Sequence, residues 1–130
     1  MNESGLKKLP EWGKGIGTFY INNLIYKNLD NSDISVIEVD CVSFNKLTSQ
    51  FSNFLEIDFL QIDTEGFDGE IIRSIDFSIF SSKMIKFENC HLAIGELEML
   101  KKLFLKNNYV VFDNVDDSIA INKREVALFK

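Results

Sequence analysis

A chain of 130 residues suits one small domain, and its 45% hydrophobic and 26% charged residues are typical of a globular protein rather than a disordered one. The net charge of −6 repels phosphate backbones and argues against nucleic-acid binding. No apolar run reaches the length of a signal peptide or a membrane span, so we predict a soluble, cytoplasmic protein with no nucleic-acid or membrane partner.

The chain is poor in ligands for a transition metal. It has two cysteines, Cys41 and Cys90, no CxxC pair, and a single histidine, His91. These three side chains cannot complete a four-ligand zinc site unless carboxylates help. Both cysteines lie in or beside apolar segments, which predicts buried, reduced thiols. We therefore predict no metal site.

The first 50 residues give mixed secondary-structure signals. Residues 1–17 are polar and glycine-bearing, which predicts a loop-rich segment. The apolar spacing in Thr18–Leu29 weakly indicates a short helix, and polar turn residues follow it. The β-branched alternation of Ile34–Val42 predicts a strand. Ser43 is then suited to cap a helix over Phe44–Phe51.

The rest of the chain alternates between strand and helix patterns. The predicted order is a buried strand at Phe59–Ile62, a helix at Asp68–Ile75, a strand at Met84–Asn89, a helix at Glu96–Asn107, and short strands at Tyr109–Phe112, Ser118–Asn122 and Val126–Phe129. This order predicts one α/β domain over residues 1–130, with parallel strands, flanking helices and a terminal antiparallel pair. A parallel sheet covered on both faces normally needs more strands, which suggests that part of the fold is missing.

Carboxylates follow both predicted parallel strands. Asp63 and Glu65 come directly after the first strand, with Gly66 allowing a sharp turn, and Glu88 ends the second. In open α/β sheets the ligand crevice lies beyond the carboxyl ends of the strands, so these acids are predicted to converge there. The alternative is a strand-to-helix turn whose acids cap the helix that begins at Asp68.

Two further interpretations concern the same residues. His91, beside Glu88, is a candidate general base because imidazole titrates near neutrality; otherwise it packs or faces solvent. A calcium loop is excluded, since the acids and glycines of residues 63–70 are out of register with the twelve-residue pattern. A carboxylate-dependent metal enzyme, with one hard cation held by Asp63, Glu65 and Glu88, is a class that the sequence leaves open.

Residues 57–72 (IDFLQIDTEGFDGEII) resemble the signature segment of FkbM-type methyltransferases. That family reads roughly I-D-hydrophobic-hydrophobic-K/Q-I-D-x-E-G-x-D/E at its fourth sheet strand. Other segments that resemble family motifs keep the family order, namely Trp12–Thr18, Val39–Leu47, Phe87-Glu88 with His91-Leu92, Asn108–Phe112 and Asp117–Ala120. The resemblance covers nearly the whole chain.

The chain departs from the family pattern in its cofactor-binding elements and at two single positions. The family's glycine-rich first-strand turn and acidic second-strand end have no counterpart here, so the cofactor-binding residues are unknown. The glycines of residues 13–17 have no strand before them and are interpreted as a substrate-side or surface loop. Gln61 replaces the commoner Lys, and Asn108 replaces a Gly while still tolerating a left-handed backbone. The resemblance thus implies the C-terminal half of a Rossmann-like methyltransferase sheet.

The resemblance implies an S-adenosylmethionine-dependent enzyme that methylates a hydroxyl of a sugar or other polyol, either a small molecule or a glycan. We predict two sets of site residues, the catalytic set being Asp63, Glu65, Glu88 and His91 and the substrate-side set Trp12, Gly15, Gly17 and Gly66. The alternative is a non-catalytic fragment or partner subunit that lacks the cofactor-binding half and self-associates through an exposed sheet edge.

Overall fold

The computed structural model describes residues 3–11, 13, 16–25, 29–51 and 55–126. Its elements, in chain order, are α1 (Glu3–Lys8), α2 (Asn22–Ile25), a 3₁₀ helix (Asn31–Asp33), α3 (Phe44–Gln50), β1 (Glu56–Ile62), α4 (Asp68–Ser74), β2 (Ser81–Glu88), α5 (Glu96–Lys106), β3 (Tyr109–Asp113), β4 (Asp117–Asn122) and α6 (Lys123–Val126). The fold is mixed α/β, as predicted. None of the helices in these ranges has the length and apolar character needed to cross a membrane.

The four strands form one sheet in the order β1-β2-β4-β3. β1 and β2 run parallel, with Phe59 opposite Met84 and Ile62 opposite Phe87. β4 runs antiparallel to both of its neighbours, β2 and β3. The predicted terminal antiparallel pair is confirmed, and β1 lies at one edge of the described sheet.

The core lies between α4 and α5 and the sheet face that they cover. Its buried members come from both helices and from the strands, namely Ile62, Ile72, Ile75, Phe80, Ile85, Phe87, Leu100, Phe104, Tyr109 and Ala120. The ring of Phe104 on α5 lies 5.5 Å from that of Phe87 and 5.8 Å from that of Tyr109. Such aromatic contacts fix the helix against the sheet beyond what area burial alone provides.

β1 departs from the predicted fully buried strand. Ile62 is 5% exposed, but Phe59 on the opposite side of the strand is 49% exposed. Because successive side chains of a strand point to opposite faces, this pattern means that the described helices cover one face of β1. An apolar run alone cannot distinguish a strand buried on both faces from an edge strand with an apolar outer residue.

The N-terminal segment contains a helix where a loop was predicted. Residues 3–8 form α1, and Lys8 near its end donates a 2.6 Å hydrogen bond to the buried carboxylate of Asp33. A small apolar cluster of Leu9, Leu24 and Leu29 lies beside this contact. The prediction of a loop over the whole segment is therefore wrong for these residues, because tertiary contacts stabilise a weak helical signal.

One strand prediction is wrong, and a second is wrong at its first residue. Residues 34–42 form no strand, and Val36 and Ile37 are 86% and 78% exposed. A β-branched alternating run needs a neighbouring strand for its backbone hydrogen bonds, and this run has none among the described residues. At the C-terminus Val126 belongs to α6, and the remainder of the predicted strand lies outside the described residues.

The predicted start of α3 and the predicted end of α5 are both confirmed. The Ser43 side chain accepts a 3.3 Å hydrogen bond from the Lys46 backbone N–H and caps α3. Asn107 ends α5, and Asn108 has a φ of 66°, the left-handed conformation expected where the family has Gly.

Candidate functional site

The parallel pairing of β1 and β2 brings their carboxyl ends to the same sheet edge. Ile62, the last residue of β1, lies opposite Phe87, the residue before the last of β2. The loop of residues 63–66 therefore lies beside Glu88 and the turn that follows it. We call the side chains of Asp63, Glu65, Glu88 and His91 the acidic edge.

His91 lies between two of the predicted carboxylates. Its Nε2 is 3.4 Å from Glu65 Oε2 and 3.7 Å from Glu88 Oε2. The three side chains are only 15%, 22% and 19% exposed, so all of them are largely withdrawn from solvent. The structure thus brings together three of the four predicted catalytic residues, and His91 neither packs in the core nor faces open solvent.

The carboxyl of Glu88 has a raised pKa. Burial raises the pKa of Glu88 above its ordinary value, and the charges of Glu65 and Asp63 act in the same direction. A hydrogen bond with the Cys90 thiol and the charge of His91 act to lower it but do not cancel the rise. Its Oε2 is buried and accepts no hydrogen bond from the described residues. A carboxyl in this state takes up a proton more readily than an ordinary glutamate.

Asp63 contributes to the acidic edge through its charge. It is exposed at the rim, directly after β1, and its charge is among those that raise the pKa of Glu88. An exposed carboxylate in this position is available to a ligand that approaches from solvent, whereas the side chains of Glu65 and Glu88 are largely withdrawn from solvent.

The cysteines are not buried, contrary to the prediction. Cys41 and Cys90 are both free and exposed. Cys90 lies in the turn just after β2, where the strand has ended and the side chain leaves the core. Local desolvation and the neighbouring Glu88 carboxylate nevertheless raise the pKa of the Cys90 thiol to about 12. Without a bound cation, the thiol stays protonated at neutral pH.

Asp68 is a site residue that the sequence analysis missed. Its side chain is completely buried, and Oδ2 accepts hydrogen bonds from Thr64 N (3.2 Å) and Thr64 Oγ1 (2.7 Å). Its Oδ1 accepts a 3.0 Å hydrogen bond from Glu88 N. The N-cap of α4 is Phe67, with no side-chain capping hydrogen bond, which counts against the alternative that Asp63 and Glu65 cap this helix. The four-residue spacing of Thr64 and Asp68 across a glycine turn was the available signal.

The loop after β1 has two consecutive residues with positive φ angles. Glu65 has a φ of 51° and Gly66 a φ of 105°, both in the left-handed region. The Glu65 carbonyl accepts 2.7 Å hydrogen bonds from Thr18 Oγ1 and Asn23 Nδ2. Strained residues at a ligand crevice persist only when their surroundings fix them, and these two donors do so here. Asn23 gave no sequence signal, and Thr18 was noted only as the end of a segment that resembles a family motif, because their partner is a backbone atom 40 or more residues away.

Of the four residues predicted to lie on the substrate side, the structure describes Gly17 and Gly66. Gly66 makes the predicted sharp turn beside the acidic edge. Gly17 is exposed, directly precedes Thr18, and has open space where a Cβ would lie, so its lack of a side chain is not required by packing. Trp12 and Gly15 lie outside the described residues. A substrate role for these four residues stays a prediction.

Comparison with known proteins places the chain in a family. No curated protein matches the chain, and no solved structure matches it. The family model described as the methyltransferase FkbM domain matches residues 15–117, which include the sheet as far as the start of β4 and the whole acidic edge. The chain therefore belongs to the FkbM methyltransferase family.

Proposed function

We propose that the chain forms the acceptor side of an S-adenosylmethionine-dependent O-methyltransferase, whose acceptor is a hydroxyl of a sugar or other polyol, free or within a glycan. The observation that carries the proposal is the position of His91 Nε2, 3.4 Å and 3.7 Å from the carboxylates of Glu65 and Glu88 at the carboxyl end of a parallel strand pair. Family membership supports the class of reaction.

The acidic edge suits a hydroxyl acceptor. Methylation of a hydroxyl oxygen releases its proton, and His91 Nε2 is the group best placed to accept that proton. The carboxylates of Glu65 and Glu88 then stabilise the imidazolium that forms, because opposite charges in a partly buried crevice attract strongly. Asp63 at the rim accepts a hydrogen bond from a neighbouring hydroxyl of a polyol and so orients it.

The described residues do not by themselves form a site for the methyl donor. β1 is the first strand among them, and no strand with a glycine-rich turn precedes it in the described ranges. Such a turn and the helix after it are what holds a nucleoside in doubly wound folds. The proposal therefore assigns acceptor binding and proton removal to the described residues, and donor binding to other residues of this chain or of a second copy of it.

A second candidate function is favoured by the outer edge of the sheet. β1 is an edge strand with an exposed Phe59, and beside it α3 and Phe80 enclose an apolar cavity of about 420 Å³ that includes Ile57 and Leu60. An unpaired parallel edge next to an apolar cavity is typical of a surface that pairs with another chain. In this candidate the chain is a non-catalytic partner subunit or fragment that self-associates or completes another sheet.

Calorimetric titration of the purified chain with S-adenosylhomocysteine distinguishes the two candidates. Micromolar binding supports the enzyme, and incubation with labelled S-adenosylmethionine and a panel of sugars and polyols is then expected to give a labelled acceptor. A folded sample that produces no heat and no labelled acceptor overturns the enzyme proposal for this chain. Light scattering tests the second candidate, which requires a dimer or larger assembly.

A further inference from the structure

A mixed set of metal-binding side chains lies at the acidic edge. Glu88, Cys90 and His91 each offer a ligand atom, and these atoms lie within 4.8 Å of one another. Glu65 adds a second carboxylate, 3.4 Å from His91 Nε2. The composition of the chain allowed no zinc site without help from carboxylates, and the fold supplies two of them next to the only histidine.

The distances fit ligands around an ion better than they fit hydrogen bonds. A charge-assisted N–H···O hydrogen bond spans about 2.7–2.9 Å. The contacts of His91 Nε2 with Glu65 Oε2 and Glu88 Oε2 are 3.4 Å and 3.7 Å. Two ligand atoms of a tetrahedral zinc ion, each about 2.0–2.2 Å from the metal, are separated by about 3.3–3.6 Å. Both contacts of His91 Nε2 therefore lie closer to the separation of two zinc ligands than to the length of a hydrogen bond.

The state of Glu88 Oε2 provides an independent observation. This oxygen is buried and accepts no hydrogen bond from the described residues. A buried carboxylate oxygen without a partner lowers the stability of the fold, because its hydrogen bonds to water are lost and no hydrogen bond within the protein replaces them. A cation at this position would satisfy the oxygen and would also offset the negative charge of the neighbouring Glu65 and Asp63.

The geometry points to a binding site for a divalent transition-metal ion, of which Zn²⁺ fits best, formed by the three side chains of Glu88, Cys90 and His91, with the Glu65 carboxylate beside His91. Imidazole nitrogen, thiolate sulfur and carboxylate oxygen together suit Zn²⁺, whereas Mg²⁺ and Ca²⁺ prefer oxygen ligands alone. The exposed Cys90 leaves the site open to entry from solvent. This differs from the sequence-based prediction of no metal site.

Zinc binding by the whole chain tests the inference without any methyl transfer. The expected result of a competition titration against a chromogenic chelator is one Zn²⁺ per chain, bound at micromolar strength or tighter and not displaced by excess Mg²⁺. Cys90→Ser and Glu88→Gln are expected to weaken binding at least about 10-fold, since even the loss of an outer-shell partner costs 10–100-fold. Cys41→Ser, at the other exposed cysteine, is the matched control and is expected to bind like the wild type.

Substitution of Co²⁺ for Zn²⁺ gives a second measurement that does not depend on affinity. A thiolate-to-cobalt charge-transfer band is expected in the wild type and in Cys41→Ser, and is expected to be lost in Cys90→Ser. Absence of zinc binding by the folded wild type overturns the inference, as does displacement by Mg²⁺ or an equal effect of the two cysteine variants. His91 Nε2 cannot bind zinc and accept the acceptor's proton at the same time, so the titration contains no cofactor or acceptor and its result is separate from the outcome for methyl transfer.

Discussion

Asp68 Oδ1 accepts a hydrogen bond of 3.0 Å from the backbone N–H of Glu88 and so joins α4 to the end of β2. The other oxygen of the same carboxylate accepts two hydrogen bonds from Thr64, in the loop after β1. One buried side chain therefore fixes the two segments that carry the acidic edge. The distance between Glu65 and Glu88 depends on a residue that faces neither the crevice nor solvent.

Asp68→Asn is expected to lower the free energy of unfolding by about 2–4 kcal/mol. The amide that replaces one oxygen is a donor, and both oxygens of Asp68 face donors, so at least one buried polar group loses its partner. Urea denaturation measures the effect. Thr64→Val, which removes only the hydroxyl contact, is the control and is expected to cost about 1 kcal/mol. Equal stability of Asp68→Asn and the wild type would contradict this role.

His91→Asn is expected to reduce the rate of methyl transfer about 10²–10⁴-fold in the active enzyme. Asparagine retains a polar side chain but cannot accept the hydroxyl proton, and general-base catalysis contributes about that factor. The rate of label transfer to the acceptor measures the loss, and circular dichroism verifies the fold. A variant with the wild-type rate would remove His91 from the mechanism.

Asp63→Asn is expected to lower the rate of methyl transfer about 10–100-fold and to leave the fold intact. The asparagine cannot accept the charge-assisted hydrogen bond from the acceptor, which is worth about 1.5–3 kcal/mol. The matched control is Asp58→Asn, in the same strand region but at the amino end of β1, where the carboxylate pairs with Lys83 instead. Similar losses in both variants would mean that the effect is not local to the acidic edge.

Gly66→Ala is expected to destabilise the fold by about 1–3 kcal/mol. Gly66 has a φ of 105°, which strains any residue with a Cβ, and the added methyl group would lie 2.2 Å from Asn23 Nδ2. Thermal denaturation measures the cost. Gly17→Ala is the control, since a Cβ there meets no atom within 4 Å, and it is expected to change stability by less than about 0.5 kcal/mol.

Glu96→Gln tests a pH-dependent contact between α4 and α5. Burial acts to raise the pKa of Glu96, but hydrogen bonds from Arg73 and the Ala93 N–H, with the charge of Arg73, outweigh it, and the pKa lies below its ordinary value of 4.5. A lowered carboxyl pKa stabilises the fold above the ordinary value, and this contribution is lost as the pH falls through the folded-state pKa.

The variant is therefore expected to be about 1 kcal/mol less stable than the wild type at pH 7, and the difference should shrink as the pH falls below 4.5. Denaturant titrations at several pH values measure the difference. Glu98→Gln, on the same helix but 68% exposed and paired with Lys101, is the control with a smaller effect. A pH-independent difference would point to packing rather than charge.

The sequence predicted the helices and strands whose own residues show a clear apolar pattern. α5 has an apolar stripe, and β1 and β2 are short apolar runs bounded by polar turns, so their positions and the convergence of Glu65, Glu88 and His91 followed from local patterns and the parallel pairing. The strand predicted for residues 34–42 failed because a strand needs a partner, which no local pattern reports.

The missed residues share a physical cause. Thr18 and Asn23 act through hydrogen bonds to a backbone atom, and Asp68 also accepts from backbone N–H groups. A backbone atom leaves no mark in the amino-acid sequence, so only the side-chain contact of Asp68 with Thr64 had a sequence signal. Cys90 was predicted to be buried because it adjoins an apolar run, but the strand ends two residues earlier, at Glu88, and the direction of a turn residue depends on the loop that follows. These are properties of tertiary structure rather than of local pattern.

The strand order has a consequence for how the chain folds during synthesis. β2 lies between β1 and β4, and β4 is the last strand of the sheet in chain order. When β1 and β2 have left the ribosome, one side of β2 still lacks its partner, and it gains one only after Asn122 has emerged. The sheet around the acidic edge is thus completed only after β4 has emerged, and until then the open side of β2 is a surface that chaperones or other nascent chains can bind.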